Sequence, residues 1–303
     1  MPASIDFRAA LLRAVTVVLC LAFVAGCTMI RLGYGQLDTV ASWKANDYFD
    51  LNVDQRQEFS QRFDRLHEWH RIEQLPDYVA FLGATQTRLK KGVTRDDVLW
   101  VMEGVKARYR TLVRKGADDA AAMLMTVTPA QIETLKKQWD KDNQRFVREY
   151  RLKEGPRERH QASMKRLYSR IDDWTGSLSP EQERRIEALV GDAPFIHQLR
   201  YEDRLRRQRE FLKLMASRGS DKQAFAERLR HFLSNWEEGR NPEYDRLYKD
   251  WEQRQADLYV AVEKMLTPHQ RAVAMHRLQS YIDDFTRLSQ RPGGKAAAAA
   301  SNG

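Results

Sequence analysis

At six candidate helix starts a Ser, Thr or Asn is followed three residues later by Gln or Asp: Asn52/Gln55, Thr94/Asp97, Thr128/Gln131, Ser179/Gln182, Ser220/Gln223 and Thr267/Gln270. In a capping box of this kind the first side chain accepts from the N3 amide and the N3 side chain reaches back to the N-cap amide. Donors that a helix start would otherwise leave orphaned are thereby satisfied locally. Pro129, Pro180 and Pro268 each follow such a cap at N1, where a missing amide hydrogen costs nothing. Asn241-Pro242-Glu243 is a further start. Behind the starts, apolar residues recur at helical spacing: Ile132, Leu135, Trp139, Phe146 and Tyr150; Met164, Leu167, Ile171 and Trp174; Phe225, Leu229, Phe232 and Trp236; Leu247, Trp251, Leu258, Val262 and Met265; Met275, Leu278, Ile282 and Phe285. No run of period two competes with them. Gly92, Gly191 and Gly219 fall between stripes as C-caps, and Gly155-Pro156 ends or kinks the helix begun at Thr128. The expectation is an all-α fold: an antiparallel multi-helix bundle of nine or ten long amphipathic helices filling residues 37–290.

Composition agrees with long solvated helices, since 31% of residues are charged and Gly and Pro are sparse. Lys and Arg number 51 against 42 Asp and Glu, a formal net charge of +9, so the chain carries a field that attracts anionic partners. An internal echo, MKRLYSRIDDW at 164–174 and MHRLQSYIDDF at 275–285, reads either as a chance match of amphipathic helices or as a sign of two related halves, about 37–176 and 177–290. The tail 291–303, with Gly293, Gly294 and an alanine run, is expected to be disordered.

Candidate chemistry is thinner than candidate structure. Trp69, His70 and Arg71 lie in the densest polar and aromatic stretch, and His67 sits three residues before His70 on one helical face. The spacing is one residue short of H-E-x-x-H, which favours a hydrogen-bonded histidine over a metal ligand. Asp172/Asp173 and Asp283/Asp284 would serve acid-base work only if assembled across the two copies, because neighbours on a helix point about 100° apart. Arg204, Arg206 and Arg207 belong to a basic stretch from Arg200 to Arg209. It reads either as a dock for anionic lipid or an acidic client, or as a solvated face with pairs such as Asp203–Arg207. The seven tryptophans fall mostly on the apolar stripes, where core packing accounts for them. No G-x-S-x-G, Walker or G-x-G-x-x-G pattern occurs, so no catalytic residue, metal or cofactor is assigned.

The N-terminus carries an address. Arg8 and Arg13 flank an apolar run, Ala14 to Val24, that is too short to cross a bilayer, and Val24-Ala25-Gly26-Cys27 closes it. This layout resembles the lipobox of bacterial prolipoproteins. The resemblance implies a signal peptide over 1–26, acylation of Cys27, and a lipidated tether over 27–36. Thr28, where Asp would favour inner-membrane retention, points to the outer membrane, facing the periplasm. Cys20 leaves with the signal, so Cys27 is the mature chain's one thiol and its role is tethering. Together with D-Y-F-D-L at Asp47–Leu51, W-H-R at Trp69–Arg71 and L-P-x-Y at Leu75–Tyr78, the lipobox resembles an uncharacterised family of proteobacterial lipoproteins, which implies location and a helical fold but no catalytic residues. Leu178-Ser-Pro-Glu-Gln182, Leu266-Thr-Pro-His-Gln270 and the looser Val127-Thr-Pro-Ala-Gln131 resemble the L-T-x-x-Q motif of Spy-type periplasmic chaperones, small helical cradles for unfolded clients. The expected function is a non-enzymatic, lipid-anchored binding or chaperone-like protein with membrane lipid and an envelope protein or anionic envelope component as partners. The alternatives are an envelope enzyme using the Ile-Asp-Asp carboxylates, and a structural scaffold.

Overall fold

Five of the six capping boxes form, and they set where the helices begin. The computed structural model describes residues 30–191 and 194–290; the signal segment 1–26, the lipobox with Cys27, and the tail 291–303 lie outside them. Among the described residues the chain is all-α. In chain order the helices are α1 (Leu37–Phe49), α2 (Val53–Trp69), a π-helical turn (His70–Gln74), α3 (Leu75–Lys90), α4 (Arg95–Met125), α5 (Pro129–Glu149), α6 (Pro156–Thr175), α7 (Pro180–Val190), α8 (His197–Ala216), α9 (Lys222–Ser234), α10 (Pro242–Met265) and α11 (Pro268–Gln290). From Leu37 onward the described residues form eleven α-helices, more than the expected nine or ten, because the stretch behind the Asn52 start is cut again before Pro76. Asp50 turns left-handed at φ 48° and donates its amide to Asn46, ending α1. Further on, Pro76 has no amide for a carbonyl one turn back, and the wider turn His70–Gln74 precedes it.

The sixth box is displaced. Asp221, not Ser220, caps α9, its carboxylate accepting from the amides of both Gln223 and Ala224. A charged acceptor at the positive end of a helix outcompetes the neighbouring hydroxyl.

The glutamines of four boxes do more than cap. Gln182 and Gln270, both buried, exchange amide hydrogen bonds of 2.8 and 3.0 Å, while Gln182 also donates to the Met265 carbonyl and Gln270 to that of Ser177. Gln55 and Gln131 repeat the arrangement, exchanging bonds of 3.2 and 2.6 Å and donating to the carbonyls of Thr126 and Asp50. Each clasp ties the start of one helix to the turn of a hairpin: α2 to the α4–α5 turn, and α7 to the α10–α11 turn. Around them the packing repeats, α1 on α5 and α2 on α4 in the first unit, α6 on α11 and α7 on α10 in the second.

This repeat differs from the one the sequence suggested. The echo segments lie on α6 and α11, which pack against each other inside a single unit, with Trp174 stacked on Tyr281 at 5.7 Å. Nor do two cores divide at 176/177. One core joins Ala121 and Val127 to Met215, Phe225, Ala226 and Leu229; the other joins Met164, Leu167 and Ile171 to Ile186, Leu258 and Val262. Each draws on residues from both sides of the expected boundary.

The segment before α1 packs against the body. Residues 30–35, within the stretch read as a tether, are helical and docked on the body. Tyr34 lays its ring 4.5 Å from that of His67 and its hydroxyl 2.9 Å from His70 Nδ1, and Arg31 Nε meets the buried carboxylate of Asp284 at 3.2 Å. Burying an aromatic ring and pairing a buried charge outweigh the entropy a free linker would keep.

Candidate functional site

A cleft of about 510 Å³ opens where α8 faces α10, the residues linking α9 to α10, and Trp139 of α5. From α8 come Arg200, Arg204, Arg207, Gln208 and Phe211, whose spacing of three and four places them on one helical face. The opposite wall is Tyr244, Tyr248 and Trp251 on α10, spaced likewise, with Phe232, Trp236 and Arg240 leading into it.

The guanidiniums are held in place mainly by groups other than carboxylates. Arg204 donates from Nε to Asn143 Oδ1 at 2.7 Å, and the buried Asn143 is gripped in turn by Gln208. Arg207 lies over the Phe232 ring with Cζ 4.6 Å from its centroid and reaches the Phe232 carbonyl at 3.4 Å. Burial lowers its pKa from the ordinary arginine value, as expected of a charge held partly out of water. Arg240 stacks against Tyr244 and Tyr248, 5.0 and 4.8 Å from their centroids, with its side chain only 5% exposed. Its Nε is buried with no hydrogen-bond partner, and its nearest carboxylate is Asp245 at 3.7 Å. Burial raises the pKa of the Tyr244 and Tyr248 hydroxyls, which therefore stay protonated.

Arg206 has a different task. It turns out of the cleft lining and binds Asp203 at 2.7 Å, Glu210 at 2.7 Å and the Glu238 carbonyl at 2.9 Å. Asp203 is the one carboxylate in the lining, and Arg206 neutralises it. The expected Asp203–Arg207 pair is replaced by this one, because Arg207 points about 100° away around the helix into the aromatic wall. Among the described residues Arg200, Arg204 and Arg207 enter no ion pair. The cleft thus presents cations on aromatic walls, an arrangement suited to an anion carried on an apolar body.

The basic stretch is accordingly part-buried along the cleft, Arg204 and Arg207 above all, and not simply a solvated face. Three tryptophans assigned to core packing, Trp139, Trp236 and Trp251, line the cleft instead. Sequence reasoning missed Arg240, Tyr244 and Tyr248. Their signal was the Tyr244, Tyr248, Trp251 stripe behind an isolated arginine, but nothing local says which helix that stripe meets.

Trp69, His70 and Arg71 are not part of the cleft. Trp69 donates to Glu73 at 2.7 Å, Arg71 pairs with Glu68, and His70 sits between the hydroxyls of Tyr34 and Tyr78 at 2.9 and 3.2 Å. Burial lowers the pKa of both His67 and His70. This group receives the N-terminal segment. The Ile-Asp-Asp carboxylates have separate employment: Asp172 accepts the Leu178 amide, Asp283 accepts from Gln279, and Asp284 holds Arg31. Cys27, Val24, Ala25 and Gly26 lie outside the described residues.

Residues 47–245, about two thirds of the chain, match a family described as one of unknown function. The chain belongs to that family, DUF6279. The DUF6279 match begins at the D-Y-F-D-L segment and takes in the whole basic face of α8, Arg240 and Tyr244, while Tyr248 and Trp251 lie beyond it. Neither a curated protein nor a solved structure matches the chain. No helix among the described residues is long and apolar enough to cross a membrane.

Proposed function

We propose that this DUF6279 protein is a lipid-anchored protein of the bacterial envelope, held by acylated Cys27 on the outer membrane and facing the periplasm, that binds an anionic envelope component without transforming it. The observation that carries the binding reading is the cleft: Arg200, Arg204, Arg207 and Arg240 converge on aromatic walls, and the lining's one carboxylate is already taken by Arg206. Arg200, Arg204 and Arg207 have no carboxylate partner among the described residues and Arg240 has only the distant Asp245, so the group attracts phosphate or carboxylate, and the aromatic walls favour an apolar body attached to it. A volume of about 510 Å³ suits a ligand of small-molecule size. With Asp203 sealed, the cleft offers no free general base, which supports binding over catalysis.

Trp139, Trp236 and Trp251 make the test direct, because a ligand in the cleft changes their fluorescence. Decyl phosphate should bind saturably, and more weakly as salt rises, while decanol and inorganic phosphate bind far less. Arg240→Met and Arg207→Met should each lower affinity about tenfold, equivalent to roughly 1.4 kcal/mol, with helix content unchanged. Equal binding of decanol, or full affinity in both variants, would overturn the assignment.

A further inference from the structure

Exposed apolar surface is concentrated at the end of the described chain nearest Cys27. Ten large apolar side chains stand exposed among the described residues, and four of them, Leu32 (64%), Leu37 (37%), Val40 (47%) and Trp43 (61%), fall within residues 32–43. Single exposed leucines need no explanation, but a local cluster marks a contact surface. Leu37, Val40 and Trp43 are spaced three apart and share one side of α1, a helix in which no residue is buried. Lys44 holds its ammonium 5.1 Å from the Trp43 ring centroid, and the apolar run stops at the half-buried Asp47. The contact is therefore confined to the first two turns of α1.

Where the chain leads identifies the occupant. Ile30 is three residue steps from Cys27, a reach of at most about 11 Å. From there residues 30–35 and 37–49 are helical and rise about 1.5 Å per residue, so Trp43 stays within about 30 Å of Cys27. The docking of Tyr34 and Arg31 fixes this stretch to the body. We infer that the Leu37, Val40 and Trp43 face of α1, with Leu32, rests in the headgroup boundary of the membrane that holds Cys27. This rests on the anchor reading above. An indole with an ammonium beside it suits that boundary, the ring reaching the acyl edge and the charge staying among headgroups. The body is then held in one orientation on the membrane and does not swing on a flexible leash.

The test separates this inference from acylation in cells. Cys27 is the only cysteine of the chain from residue 27 onward, so a maleimide-headgroup phospholipid couples there alone. The chain so coupled is incorporated into vesicles whose acyl chains carry bromine close to the headgroup. Bromine should quench part of the tryptophan fluorescence, Trp43→Phe should remove most of that quenching, and Val40→Asp should reduce it. Trp43 lies on the surface and its replacement is conservative, so the variant reports position rather than folding. Equal quenching with and without Trp43 would overturn the inference, as would no quenching at all or a second copy of the chain shielding Trp43. Bromine quenching through Trp43 in a chain that cells never acylate would keep this face and sink the anchor.

Discussion

Replacing Gln270 with Ala tests whether the reciprocal clasp holds the second unit together. The substitution removes four side-chain hydrogen bonds: donation to the Ser177 carbonyl and to Gln182 Oε1, and acceptance from the Thr267 amide and from Gln182 Nε2. At roughly 0.5–1.5 kcal/mol net each the bonds contribute about 2–6 kcal/mol, and about 1–1.5 kcal/mol of side-chain entropy is recovered. The expected loss is about 1–5 kcal/mol, read by urea unfolding followed by far-ultraviolet circular dichroism. Two of the four bonds are shared with Gln182, so Gln182→Ala with Gln270→Ala should cost about 1–2 kcal/mol less than the sum of the single changes. Gln131→Ala should behave like Gln270→Ala, since it loses the corresponding bonds to Asp50, Thr128 and Gln55. A loss below about 1 kcal/mol for Gln270→Ala, or strict additivity in the cycle, would refute the clasp as a structural device.

Other consequences follow from single positions. Burial, with Arg200, Arg166 and Arg170 adding like charge, brings the His197 pKa from its ordinary 6.5 down to about 4. Between those values the unfolded chain binds the extra proton, so stability is whole above pH 6.5 and falls as pH drops towards 4. His197→Phe should flatten that fall by about 1–3 kcal/mol in denaturation curves taken across this window; an unchanged slope would rule the residue out as its source. A Cβ at Gly104 would come 2.6 Å from Phe81 Cζ, in a ring held between Trp100 and Arg108. Gly104→Ala should therefore cost about 1–3 kcal/mol, and an unchanged thermal midpoint would mean that the ring moves freely aside. Cys27→Ala should abolish fatty-acid labelling in cells and leave the protein uncleaved or released from the membrane fraction; persistent labelling would contradict the lipobox.

Local chemistry was legible where it is self-contained. Thr128, Pro129 and Gln131 specify a helix start among themselves, and the structure begins α5 there. Ser220 and Gln223 carry the same pattern, yet Asp221 takes the cap, because a carboxylate one residue on supplies a stronger acceptor. Arg204, Arg206 and Arg207 read alike in sequence, but 100° around α8 divides them into cleft lining and ion-pair brace. The echo at 164–174 and 275–285 suggested duplicated halves, whereas the structural repeat runs through Gln55, Gln131, Gln182 and Gln270, whose partners lie 76 and 88 residues away.

The sequence by itself determined an all-α chain, most of its helix boundaries and its net positive charge. These depend on contacts within about four residues or on simple summation of charge. Tertiary structure decided that Arg240, remote from the α8 basic stretch in sequence, faces it across an aromatic cleft, that Trp139, Trp236 and Trp251 line that cleft, and that Tyr34 docks on His70. An amphipathic stripe states which side of a helix must be covered, and only the packed fold selects what covers it.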